Sequence, residues 1–333
     1  MTVKGTLPEG VSLFSRRINS MSKAFDREVF YSYLLKGEVR EAIRYLADFP
    51  EQAELYQKYI SVFEREEYHI LMEDDFLNEI LLTYQQYYRD VFYLQTDPGQ
   101  AAETMKDRFL RLFDLGDPEL SFGEIEENSI SEAFQQKNYH FLGGKTGGYW
   151  GPYIWKTTES KTYEVELPGG IQPYTVCFLD GFLSKSWLDF ISFGKVSTGG
   201  WTDSDGIIHC IKSSYDLESE GFTVSLLKHE AQHAMDLASY PRMSQEDLEY
   251  RAKLVELIYS EERNLLRQFA LEADTSQENN GHSLAASRIV EGFVKRPGMG
   301  PEKIDTLSVS EIQRVSKELF LDSTAEVKAK DNR

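Results

Sequence analysis

The sequence predicts an α+β fold. A mostly helical region covers residues 1–125, a mixed region built on a small, mainly antiparallel sheet covers 126–325, and a disordered tail covers 326–333. Three observations lead there. Apolar residues recur at helical spacing almost without a break from residue 18 to about 115. From about residue 139 the texture changes to Gly, Thr and aromatic residues in short alternating runs. Past residue 220 the helical spacing returns.

Phe25, Val29, Phe30 and Tyr33 begin the first amphipathic helix, because residues three and four apart share a face. Ala42, Ile43, Tyr45 and Leu46 follow after Gly37, and Glu51 to Phe63 and Asp75 to Tyr93 keep the same period. The acidic runs Glu64-Arg65-Glu66-Glu67 and Glu73-Asp74-Asp75 read as solvated faces. Gly143-Gly144-Lys145-Thr146-Gly147-Gly148 has the look of a phosphate loop, but that pattern needs a glycine at 139, where Tyr139 stands. Hairpin turns account for these glycines better. Strands are predicted at Lys161 to Leu167 and Pro173 to Phe182, and two more around the turn Asp203-Ser204-Asp205-Gly206.

Phe222, Leu226, Leu227, Ala231, Ala234 and Leu237 predict a buried helix, punctuated by Gly221 and Pro241. Leu248, Ala252, Val255 and Tyr259 form the stripe of the next, capped by Ser244 with Asp247 three positions on. Leu284 to Val294 and Ser308 to Phe320 complete the helical part.

Composition narrows the function classes. With 41% hydrophobic residues, 20 Phe and 19 Tyr, the chain can bury a sizeable core. A net charge of −19 argues against nucleic acid and anionic membrane surfaces, which call for clustered Lys and Arg. No run reaches the ~18 apolar residues of a membrane span, and Met1 to Arg17 has no apolar leader core, so a cytoplasmic location is expected. Cys177 and Cys210 lie in apolar runs and are expected as buried thiols. There is no G-x-S-x-G elbow and no C-x-x-C pair, which leaves serine-hydrolase and redox chemistry without a footing.

The segment that carries chemistry is His229-Glu230-Ala231-Gln232-His233. Four residues apart on a helix, the two imidazoles can converge on one metal, and Glu230 falls beside the open coordination position rather than in the ligand ring. A mononuclear catalytic zinc needs a third protein ligand. The metzincin continuation is ruled out, because Asp236 and Ser239 stand where Gly and His are required. Glu249, flanking the apolar stripe of the next helix, is the preferred third ligand, with Glu246 and Glu256 as rivals. Asp236 offers an acceptor for a ligand's second ring N–H.

With that glutamate on a later helix, the chain resembles the gluzincins, zinc peptidases whose ligands are H-E-x-x-H plus such a residue. The resemblance spans about residues 195 to 290 and is specific only at the motif. Thermolysin-like members carry an aspartate where Lys253 stands, whereas Ala252 matches the small residue of other members. The resemblance implies a zincin-like region over 126–325 and a Zn2+ held by His229, His233 and Glu249. It further implies Glu230 as general base, His282 at a helix start steadying the oxyanion, an edge strand that pairs with substrate, and a peptide or protein as substrate. The rival class is a non-catalytic binding or regulatory protein with a structural or vestigial zinc. An open coordination position and an intact Glu230 favour the enzyme.

Overall fold

Asp26 accepts hydrogen bonds from the N–H groups of Glu28 and Val29 and so starts α1 (Arg27–Leu35). It is followed by α2 (Val39–Ala47), α3 (Ala53–Tyr59), α4 (Asp75–Tyr88), α5 (Pro98–Leu112) and the short α6 (Phe122–Ile125) and α7 (Ser131–Gln135). Three π-helical segments extend this set: Ile60–Glu64 follows α3, Arg89–Tyr93 follows α4, and Glu126–Ile130 links α6 to α7. The computed structural model describes residues 24–68, 72–275, 281–296 and 300–331. No helix among them is long and apolar enough to cross a membrane.

The described residues divide into two compact units, and the division departs from the expected break after residue 125. One unit holds Lys23–Thr157 and Leu179–Thr198, the other Thr158–Phe178 and Gly199–Arg333. The reason is packing. Strands β1 (His140–Leu142), β2 (Lys145–Thr146), β3 (Tyr149–Trp150) and β4 (Tyr153–Trp155) stay with the helices, and Ile154 is fully buried in their core. The chain then runs through the long hairpin β5 (Thr157–Leu167) and β6 (Gly170–Asp180) and returns with β7 (Ser184–Lys185) and α8 (Ser186–Ile191). β7 pairs with β4, and Trp187 and Ile191 join the helical core.

Within this unit Glu126 is 3% exposed, accepting from the Tyr84 hydroxyl at 2.5 Å and the Gly144 N–H at 2.7 Å. Burial pushes its carboxyl from 4.5 up to about 7 against those two hydrogen bonds. The folded state therefore binds a proton that the unfolded chain releases, so stability falls as pH rises from 4.5 to about 7. That rise corresponds to about 3 kcal/mol. Glu126→Gln, whose amide can serve both partners, is expected to remove this part of the pH dependence in urea unfolding measured at pH 5 and pH 8. An unchanged pH dependence would show that Glu126 titrates normally.

The second unit carries a four-stranded sheet in the order β5-β6-β9-β8, where β8 is Gly200–Thr202 and β9 is Ile208–Ile211. β8 and β9 are antiparallel, with Trp201 opposite His209, and β8 is an edge. Gly199 and Gly200 are needed here: a side chain on Gly199 would strike the Tyr215 hydroxyl, and one on Gly200 the His209 carbonyl oxygen. Cys210 is buried, whereas Cys177 is only half-buried, and both are free thiols.

Helices α9 (Glu220–Thr223), α10 (Leu227–Ser239), α11 (Gln245–Tyr259), α12 (Leu265–Glu272), α13 (Gly281–Val294) and α14 (Val309–Asp331) complete the unit. The helix after the motif is buried well beyond the stripe of Leu248, Ala252, Val255 and Tyr259. α11 packs against α10, α13 and α14, and every residue from Asp247 to Leu257 is buried. Its core neighbours include Phe222 and Phe293, each at most 1% exposed, and burying each contributes about 2–3 kcal/mol. The expected disordered tail is a second correction. α14 is helical to Asp331, because Val327 is 6% exposed and Lys330 pairs with Asp247 at 3.1 Å. Residues 332 and 333 lie outside the described residues.

Candidate metal centre

His229, Glu230 and His233 lie on α10, and all three are buried. Their Nε2 atoms set the geometry: His229 Nε2 and His233 Nε2 are 3.0 Å apart. Glu249, on the second turn of α11 and 3% exposed, brings Oε2 to 3.5 Å from His229 Nε2 and Oε1 to 3.5 Å from His233 Nε2. One ligand atom from each of the three residues falls within 4.8 Å of the others.

These residues fit a divalent metal. Tetrahedral zinc with N and O ligands at 2.0–2.1 Å would space its ligand atoms about 3.3 Å apart. The two Nε2 atoms, 3.0 Å apart, and the Glu249 oxygens, each 3.5 Å from one of them, lie close to that spacing, with one ligand atom per residue inside 4.8 Å. The Glu249 Oε2 atom is buried with no aligned hydrogen bond, which leaves lone pairs for an ion; His233 Nδ1, on the other side of its ring, is likewise buried without a partner.

The surroundings orient the rings. His229 Nδ1 lies 2.7 Å from Glu256 Oε1, also buried. An ionised carboxylate only accepts, so Nδ1 carries the proton and the Nε2 lone pair is directed at the centre. Burial alone would lower the His229 pKa, but the Glu249 and Glu256 carboxylates hold it well above the ordinary value. Burial likewise works to raise Glu249, and the His229, His233 and His282 rings hold it far below the usual carboxylate range. Binding of a metal at His229 Nε2 would therefore compete with protonation of that ring.

Glu256 is therefore a support for His229, not a rival third ligand. Glu246 is 43% exposed and lies 3.8 Å from Arg288, away from the cluster. Glu230 is held by Thr202 on the edge strand β8, whose Oγ1 is 2.9 Å from both the Glu230 carbonyl oxygen and Oε2. The Tyr215 phenol is pushed up by burial and by Cys210, Glu230 and Glu256 around it.

His282 begins α13 as expected, and its Nδ1 lies 2.9 Å from Glu249 Oε2, beside the candidate centre. One expectation requires correction. Asp236 does not reach a ligand ring; its Oδ2 accepts from Arg251 Nε at 2.8 Å, because α11 brings a guanidinium to that face first. Arg288 is engaged by Asp247 and Glu326. His209 stacks on Trp201 and pairs with Asp203, as a packed strand residue would.

Sequence reasoning named Glu256 only as a rival ligand, not as the support of His229, and did not find Thr202. For Glu256 there was a signal: it stands seven residues after Glu249, two turns along the same face. For Thr202 there was none. Comparison of the chain with protein-family models, curated proteins and solved structures finds no match.

Proposed function

We propose that this chain is a zinc-dependent peptidase of the gluzincin kind, with His229, His233 and Glu249 holding the ion and Glu230 as general base. The observation that supports it is the triangle of buried ligand atoms backed by Glu256. Zinc bound there would polarise the scissile carbonyl and bring the pKa of a water to about 7.

The chain's own residues divide the remaining work. Glu230 accepts the proton of the attacking water as oxygen adds to the carbonyl carbon, then passes it to the amine nitrogen as the C–N bond breaks. Thr202 holds the Glu230 carboxylate in place from the edge strand. As the edge of its sheet, that strand suits an extended peptide, whose main chain would add alongside irrespective of its side chains. Glu256 fixes the His229 tautomer throughout.

Metal analysis of the purified full chain by plasma mass spectrometry tests the reading. About one zinc per chain is expected in the wild type, lost in His233→Ala and Glu249→Ala. Glu256→Gln is expected to keep the site but weaken zinc by about 10–100-fold. Absence of zinc after reconstitution would sink the proposal. Retention of full affinity in Glu249→Ala would remove that residue from the ligand set.

A further inference from the structure

A cavity of about 260 Å3 lies inside the helical unit. Its lining mixes apolar side chains, among them Val62, Leu81, Phe190 and Phe193, with polar ones and with Lys58, whose ammonium lies 4.2 Å from the Phe193 ring centroid. Among the described residues, thirteen buried side-chain polar atoms have no hydrogen-bond partner, and five of these belong to residues of this lining. They are Tyr68 Oη, Gln85 Oε1, Tyr88 Oη, Ser186 Oγ and Asp189 Oδ1. Tyr88 and Ser186 are each 2% exposed and Gln85 is 8% exposed. Asp189 Oδ1 has the Lys185 ammonium 3.0 Å away, but in no aligned hydrogen bond. Tyr88 Oη and Ser186 Oγ converge: a Cβ placed on Gly151 would lie 2.8 and 2.6 Å from them.

Such a cluster is costly, since each buried polar atom left without a partner destabilises a fold. The backbone around it is also unusual. Ser186 and Phe193 adopt left-handed φ values of 67° and 53°, which β-carbon sterics disfavour, most of all for a bulky residue. All three π-helical segments bear on it. Val62 lies in the first, Tyr88 immediately precedes the second, and Glu126 opens the third and grips the lining residue Tyr84. Single π turns recur at functional sites because they redirect side chains that an α-helix would align elsewhere.

The chemistry of the lining selects a ligand class. Gln85 Oε1 and the Asp189 carboxylate oxygen can only accept, and the three hydroxyls can donate or accept. Two of the five atoms can therefore take N–H or O–H donors from a ligand, Asp189 Oδ1 beside its ion pair with Lys185. The volume suits a substituted or fused ring, since a 150 Å3 apolar cavity already takes benzene. We propose that this cavity is a binding site for a compact ring compound, neutral or singly cationic, that presents at least two N–H donors to Gln85 and Asp189. Its ring packs against Val62, Leu81 and Phe190. The site is independent of the candidate metal centre.

The test is isothermal titration calorimetry of the full-length chain, with and without a metal chelator. The probe is 2-aminobenzimidazole, a fused ring rich in N–H donors; the control is benzimidazole-2-carboxylate, of similar outline and anionic. Saturable binding of the amine is expected, unchanged by the chelator and at least tenfold tighter than the carboxylate. Asp189→Asn and the cavity-filling Val62→Phe, each checked for wild-type circular dichroism, are expected to weaken it tenfold or more. No saturable binding at millimolar amine, equal binding of the two probes, or loss of binding with the chelator would overturn the proposal. The two-probe comparison needs no variant, so it stands even where a substitution prevents folding. A high-resolution crystal structure soaked in the amine, showing only ordered water bridging the five atoms, would equally overturn it.

Discussion

Glu230→Gln is expected to lower peptide hydrolysis by about 10²–10⁴-fold while zinc content stays at the wild-type level. The amide keeps the length of the side chain and can still accept from Thr202 Oγ1, so the local structure should survive. What it loses is the ability to take a proton from water at neutral pH. The loss should fall on kcat and kcat/KM alike, since general-base assistance acts in the transition state. Steady-state hydrolysis of a peptide library, with metal content measured on the same samples, reads both halves. Wild-type turnover in the variant would remove Glu230 from the mechanism. Zinc in the wild type without hydrolysis of any peptide would instead favour the non-catalytic alternative.

Asp236→Ala is expected to destabilise the chain by about 3–5 kcal/mol. Asp236 and Arg251 are 2% and 4% exposed, joined at 2.8 Å, and the same guanidinium reaches Thr324 Oγ1 at 2.9 Å and stacks 4.2 Å from the Phe320 ring centroid. Removing the carboxylate leaves a buried cation with nothing to balance it. Replacing both partners, Asp236→Leu with Arg251→Met, should cost far less, because no orphan charge remains. Urea unfolding of the three variants distinguishes the cases; a single variant within about 1 kcal/mol of wild type would show that the charge reaches water. The pair also fastens α10 to α11, the two helices that carry the candidate ligands. Zinc affinity should therefore fall in Asp236→Ala although no ligand is touched.

How much of the fold the sequence disclosed depended on whether the signal was local. Helical spacing at Phe25–Tyr33 and Asp75–Tyr93 and the Asp203–Gly206 turn are local, and α1, α4 and the β8–β9 hairpin lie there. The π turns are not visible, since one extra residue per turn leaves the apolar spacing nearly intact. The division into units was misplaced because it rests on long-range packing: Trp187 and Ile191 join a core assembled some hundred residues earlier. The tail was read as frayed because Lys330 finds its partner Asp247 only on α11, far away in sequence, and Val327 is buried only by tertiary packing.

The candidate site divides along the same line. His229 and His233 were legible because their spacing is a property of one helix. Glu249 required a guess about which face of α11 turns inward, and the structure turns that face to both imidazoles. Asp236 and Glu256 illustrate the limit. Asp236 was read as an acceptor for a ligand ring and Glu256 as a rival ligand, whereas Asp236 pairs with Arg251 and Glu256 with the outer nitrogen of His229, contacts set by the packing of α10 on α11.

One feature of α11 constrains how this protein can change. Glu249, Arg251, Lys253 and Glu256 all sit within its fully buried stretch, and each has a fixed partner: the histidine pair, Asp236 and His229 on α10, and Glu272 on α12. An inserted or deleted residue between Glu249 and Glu256 would rotate everything beyond it by about 100° and detach several of these partners at once. Loops elsewhere can lengthen without such a penalty. Descendants of this chain should therefore keep the interval E-x-R-x-K-x-x-E unbroken at a fixed length, even where the surrounding residues have drifted beyond recognition.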